Sequence, residues 1–147
     1  MGRRLGQHFL VRQSVLERIA NAACADARGP VVEIGPGKGA LTSHLLALAE
    51  RVIAIEIDPV LTQYLRSKFR ASSNLELIEN DILKVDLATL QSAVVVGNLP
   101  YYIASPIIEK VLALRSPIAR AVFLVQKEVA ARLTASPGTR DYGYLSV

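Results

Sequence analysis

PVVEIGPGKGALT, residues Pro30 to Thr42, changes character in its middle. The first half is a short β-branched run, the pattern of a buried strand rather than of a helix. Gly35, Gly37 and Gly39 follow, and they let the backbone turn tightly and approach a ligand closely. The continuation ALTSHLLALA then reads as a helix with Leu41, Leu45 and Leu48 on one side. The N-terminus of such a helix favours negative charge. A dinucleotide fingerprint has the spacing G-x-G-x-x-G, whereas this turn is G-x-G-x-G. On these residues alone, a ligand cradle and a plain strand-to-helix turn both remain open.

The same alternation extends in both directions. Upstream, SVLERIANAAC reads as a helix in which Ser14 and Glu17 have capping-box spacing and Val15, Ile19 and Ala22 recur at helical intervals. Downstream, RVIAIEI is a second strand, and Asp58-Pro59 starts a helix with Asp as N-cap and Pro in the first turn. The apolar face of that helix is expected at Leu61, Tyr64, Leu65 and Phe69. NLELIE and SAVVVGN are strands, Ser105-Pro106 opens a helix to about Arg115, ARAVFLVQ is the fifth strand, and KEVAARL is the helix after it. Strands alternating with helices imply parallel βαβ units, and continuous apolar strands imply a sheet covered on both faces. The expected fold is α/β: an open, doubly wound, mostly parallel Rossmann-like sheet.

Composition narrows the function classes. The 147 residues fit one domain, and 51% apolar content suffices for a core at this size. No apolar stretch reaches the roughly 20 residues that span a bilayer, and the basic start MGRRLGQHFLVRQ has no apolar signal region, so neither a membrane nor secretion is expected. Cys24 stands alone, and His8 and His44 are far apart, so neither a disulfide nor a metal site is expected. These features fit a cytoplasmic protein. The net charge is +4, with Arg3, Arg4, Arg12 and Arg18 crowded near the start; they read either as a solvated face or as a phosphate-contacting arm.

In doubly wound sheets ligands lie beyond the carboxyl ends of the strands. Those ends are polar here: Glu33 before the glycine turn, Glu56 and Asp58, Asn80-Asp81, Asn98 and Gln126. Glu56, 21 residues beyond Gly35, stands where an acid accepts hydrogen bonds from two ribose hydroxyls. Asp81 is placed to accept from an adenine amino group, and Ile57 and Ile82 to clamp a purine, although ordinary core packing serves equally for the two isoleucines. The ligand so described is an adenosine, with no need for a pyrophosphate.

The tetrad Asn98-Leu99-Pro100-Tyr101 follows the most apolar strand. The exocyclic amine of adenine is a poor nucleophile because its lone pair is delocalised into the ring. An asparagine carbonyl and a backbone carbonyl that accept its two hydrogens pull the nitrogen towards a tetrahedral shape and free that pair. Proline stiffens the loop and is expected to leave carbonyls facing the site. A tyrosine face can stack on a flipped-out base. Positioning and electrostatics would supply the catalysis.

The segments LGQHFL, VVEIGPGKGALT, AIEID, ENDIL, VVGNLPYYIASPI, FLVQKEVAARL and YGYLSV, in this order and spanning nearly the whole chain, resemble the small-subunit ribosomal RNA adenine N6,N6-dimethyltransferase family. The resemblance implies S-adenosylmethionine as cofactor and, as substrate, two adjacent adenosines near the 3′ end of small-subunit rRNA, each receiving two methyl groups during ribosome biogenesis. It implies that His8 and Leu10, with Gln7 nearby, border the cofactor. Gly35 would lie against its methionine part, Glu56 would hold the ribose and Asp81 would meet the adenine amine. Asn98 would touch both donor and target, and Leu99, Pro100 and Tyr101 would complete the catalytic loop. The implied partner is the immature small ribosomal subunit, engaged by a monomer.

Two residues depart from the family pattern: Tyr102 where an asparagine is usual, and Tyr144 where a basic residue is common. Family members also continue beyond YGYLSV into further strands and a small helical domain. Residues 1–147 are therefore expected to form a catalytic domain lacking those parts, with an open edge on the fifth strand. The rival readings are a large-subunit rRNA adenine N6-methyltransferase, a DNA adenine methyltransferase, a non-catalytic RNA-binding assembly factor and, with unsuitable glycine spacing, a nicotinamide enzyme. GQHFL and LVQKEV favour the small-subunit reading.

Overall fold

The computed structural model describes residues 12–100, 102–114 and 118–138. Five parallel strands, β1 (Val31–Ile34), β2 (Val52–Glu56), β3 (Leu75–Glu79), β4 (Ala93–Asn98) and β5 (Ile118–Leu124), form one sheet in the order β3-β2-β1-β4-β5. The described helices are α1 (Gln13–Cys24), α2 (Ala40–Leu48), α3 (Pro59–Lys68), α4 (Ala104–Ala113) and α5 (Lys127–Thr134), with a 3-10 turn at Ile82–Lys84. The doubly wound α/β expectation is met. Strand order reverses between β1 and β4, which opens a crevice at the carboxyl ends of those two strands.

Successive side chains alternate across the sheet, and the central strands β1, β2 and β4 are buried on both faces while β3 and β5 are partly buried or exposed. Val31, Val52, Val94 and Val96 pack with Leu16, Ile19, Ala20 and Ala23 of α1 and with Leu41 and Leu45 of α2. Val32, Ile34, Ile53, Ile55 and Val95 pack on the other side with Ala104, Ile107, Ile108 and Val111 of α4 and Val129 of α5. Phe123 of β5 is partly buried against this second cluster. Beyond β5 no further strand pairs among the described residues, so the described part of the sheet ends on it.

Several local expectations shift. The capping box at Ser14 and Glu17 is not used: α1 starts one residue earlier, with Arg12 at the N-cap and no side-chain cap. Its buried stripe is Leu16, Ile19, Ala20 and Ala23, and Ala22 is exposed. In α2, Leu41 and Leu45 are buried but Leu48 faces solvent. In α3, Asp58 caps as expected, accepting from the Val60 N–H at 2.8 Å. The inward residues of α3 are Thr62 and Leu65, with Tyr64 exposed. No helix among the described residues is long and apolar enough to cross a membrane.

Candidate active site at the switch point

Sheet register brings the two key loops together. Ile34 of β1 is paired with Gly97 of β4; one residue further on, Gly35 begins the turn while Asn98 stays in the sheet opposite Leu124 of β5. Together with Glu33, Gly37, Glu56, Asp81, Leu99 and Pro100 they line a cavity of about 240 Å³. Ile57 and Ile82 lie on the same wall, with Ile82 buried and Ile57 half-exposed. Tyr102 and Ile103 continue the lining into α4. Tyr101, His8, Leu10 and Gln7 lie outside the described residues, as do Arg3, Arg4 and Tyr144; Arg12 and Arg18 are exposed.

Gly35 has φ +65°, and a Cβ built on it would have no neighbour within 4 Å. The space over this turn is therefore open, and the glycine keeps the backbone itself as the surface a ligand meets.

Glu56 is buried, and its carboxylate is already in use. Oε2 accepts the Gly37 N–H at 3.1 Å and Oε1 accepts the Asp58 N–H at 3.0 Å. Burial pushes its carboxyl above the ordinary value, while the N–H groups of Asp58 and Gly37 draw it down. A carboxylate has about four acceptor sites, so these two bonds leave capacity for ribose hydroxyls. Asp81 has a comparable double duty. Its Oδ1 accepts the Leu83 N–H at 2.9 Å and caps the 3-10 turn, and its own N–H donates to Asn80 Oδ1 at 2.8 Å.

The loop after β4 is anchored at both ends. The Leu99 N–H donates to the Leu124 carbonyl of β5 at 3.0 Å. The Pro100 carbonyl accepts from the N–H groups of Ile103 and Ala104 at 3.2 and 3.1 Å, which starts α4. Of the loop carbonyls expected to face the site, that of Pro100 is engaged by the start of α4.

Sequence reading noted Glu33 as a strand end but gave it no role. It is buried on the cavity wall, where Thr42 Oγ1 donates to its Oε2 at 2.6 Å. Burial, opposed by the Thr42 bond and reinforced by nearby Glu56, pushes its carboxyl up to about 8. The legible signal was an acid inside a β-branched run, where a charged group needs a partner or a proton.

Comparison with known proteins agrees with this geometry. The family model described as ribosomal RNA adenine dimethylase matches residues 2–147. The chain is 47% identical to ribosomal RNA small subunit methyltransferase A of Acidobacterium capsulatum, over 98% of this chain and 52% of that protein. It is 44% identical to the protein of the same name in Geobacillus thermodenitrificans, over 97% of this chain and 52% of that one. The chain thus spans about half the length of the curated relatives it matches. Among solved structures, a dimethyladenosine transferase from Plasmodium falciparum superposes with a TM-score of 0.81 at 36% identity, covering 95% of this chain and 50% of that one. The 23S rRNA methyltransferase ErmE gives 0.78 at 33% identity, covering 86% of this chain and 51% of that one. A family match over nearly every residue, joined to a glycine turn and an Asn-Leu-Pro loop that share one crevice, means that the chain belongs to the ribosomal RNA adenine dimethylase family.

Proposed function

We propose that this chain forms the catalytic domain, residues 1–147, of an S-adenosylmethionine-dependent rRNA adenine N6,N6-dimethyltransferase. The observation that carries the reading is that Gly35, Glu56, Asp81 and Asn98, from the ends of four different strands, line one cavity. The open space over Gly35 and the acids ending β2 and following β3 suit an adenosine bearing a methionine chain. Bound there, S-adenosylmethionine supplies a methyl group activated on a sulfonium.

The chain's own groups do the remainder. Glu56 accepts from the ribose hydroxyls, Asp81 from the adenine amine, and Ile57 and Ile82 flank the purine. At the substrate side, Asn98 Oδ1 and the Leu99 carbonyl each accept one hydrogen of the target N6 amine, which holds its lone pair towards the donor. Pro100 fixes the loop through its committed carbonyl, and Tyr101 stacks on the extruded base. The family resemblance implies that His8 and Leu10, outside the described residues, border the cofactor. No strong base is needed before attack, because the amine proton becomes acidic only as nitrogen gains positive charge. It then leaves to water.

The proposed substrate is the pair of adjacent adenosines near the 3′ end of small-subunit rRNA, in an immature subunit in the cytoplasm, met by a monomer of this protein. The large-subunit alternative is supported by the likeness to ErmE at 33% identity. The small-subunit reading is preferred because curated relatives with small-subunit names reach 47%. The test is methyl transfer from labelled S-adenosylmethionine to immature small subunits and to naked large-subunit rRNA, with mass analysis of the nucleosides. Dimethyladenosine in the small subunit is expected. Methylation of large-subunit rRNA alone, or binding with no turnover in the protein that carries the remaining half, would overturn the proposal.

A further inference from the structure

The 3-10 turn at Ile82–Lys84 is held at both ends. Asp81 caps its start through the Leu83 N–H. At its other end, the half-buried Lys110 of α4 donates from Nζ to the carbonyl of Ile82 at 2.6 Å and to that of Val85. Lys110 is three residues after Ile107, on the same side of α4, and Ile107 lines the cavity. The segment between Asn98 and α4 is the proposed catalytic loop. One ammonium therefore ties the helix carrying the target-side wall to the turn carrying Asp81 and Ile82 on the cofactor-side wall. Charge-assisted bonds to two carbonyls are stronger and more directional than packing alone.

We infer that Lys110 is a positioning residue, which sets Asp81 against the cofactor adenine by clamping the 3-10 turn onto α4. The inference rests on the proposed cofactor reading and adds to it the source of the turn's placement. Lys110 does not line the cavity. A plain capping role would stabilise the fold without changing how Asp81 is used, so the decisive quantity is the coupling between Lys110 and Asp81.

The experiment is calorimetric titration of the full 147-residue chain with S-adenosylhomocysteine. The unmodified chain is compared with Lys110→Met, Lys110→Arg, Asp81→Asn and the Lys110→Met/Asp81→Asn pair, each with a ligand-free melting curve. Lys110→Met is expected to weaken binding about tenfold. Lys110→Arg, which keeps donors, is expected to recover most of the loss. The pair should bind no worse than Asp81→Asn alone, because the clamp has nothing left to position. Should the Met variant fail to fold, Lys110→Gln, with a shorter donor, carries the same comparison. Normal affinity in the Met or Gln variant, or fully additive losses in the pair, overturns the inference while leaving the cofactor reading intact. No binding by the folded, unmodified chain overturns both.

Discussion

The carboxylate of Glu56 accepts the backbone N–H of Gly37 at 3.1 Å, so the acid that ends β2 also holds the glycine turn that follows β1. A second N–H, from Asp58, occupies its other oxygen at 3.0 Å. Glutamine at this position offers only one acceptor oxygen, and its NH2 would face an N–H donor. Glu56→Gln is therefore expected to disturb the turn as well as remove a charge. Affinity for S-adenosylhomocysteine should fall by about tenfold or more, with a lower melting temperature. Calorimetry and thermal denaturation check both parts, and an unchanged melting temperature would mean that the turn does not depend on this bond.

Two glycines of the same turn are constrained for different reasons, and substitution should separate them. Gly39 has φ +87°, and a Cβ there would meet the Phe69 ring at 2.5 Å. Gly39→Ala should cost stability on the order of 1–3 kcal/mol, from left-handed backbone and a clash together. Gly35 has φ +65° but open space around it, so Gly35→Ala should cost roughly 1 kcal/mol of stability from backbone strain alone. Its methyl group projects into the cavity, however, and ligand affinity should fall by more than stability does. Urea denaturation beside calorimetry distinguishes the two; equal effects at both positions would contradict the assignment of the cavity to the Gly35 side.

Glu33 gives the fold a pH dependence of definite sign. Its folded value, about 8, lies above its ordinary 4.5. Between those limits the folded chain binds more protons than the unfolded one, so stability falls as pH rises. The penalty is absent below about pH 4.5, complete above about pH 8, and on the order of a few kcal/mol. Glu56 is shifted upward too and adds a slope of the same sign. Glu33→Gln removes the ionisation and keeps an acceptor for Thr42. It should match the unmodified chain near pH 5 and exceed it at pH 8.5 in urea denaturation. Parallel stability profiles for the two would show that Glu33 does not ionise in this range.

The sheet was legible because short β-branched runs such as Val94–Val96, bounded by turn residues, favour strands, and the polar strand tips were legible because they end such runs. What escaped reading depends on contacts across sequence distance. The buried α1 stripe, Leu16, Ile19, Ala20 and Ala23, is selected by packing against β1, β4 and α2, and Arg12 rather than Ser14 stands at the N-cap. The engagement of the Pro100 carbonyl with Ile103 and Ala104 is set by how tightly α4 begins, which no residue type announces. The hydrogen bonds of Lys110 run to carbonyls 25 and 28 residues away, so a lysine within a helix reads only as surface.

Asn98 carries the most exacting prediction, because its neighbours fix the loop independently of its side chain. The Leu99 N–H bonds to Leu124, and the Pro100 carbonyl is capped by the first turn of α4, so neither anchor uses the Asn98 amide. Asn98→Ala should leave melting within a few degrees of the parent, since it removes a partly exposed side chain. Methyl transfer by the protein carrying the remaining half should fall by about a hundred- to a thousandfold, the usual cost of deleting one preorganised group at a reacting atom. Asn98→Asp separates acceptor from charge. It keeps an acceptor oxygen for the target amine, but places a negative charge where the amide was neutral, so it should retain more activity than alanine and still fall well below the parent. Single-turnover methyl transfer with saturating S-adenosylmethionine reads the chemical step directly. Near-parental turnover by Asn98→Ala would mean that the Asn98 amide does not hold the target amine, and its catalytic role would be refuted.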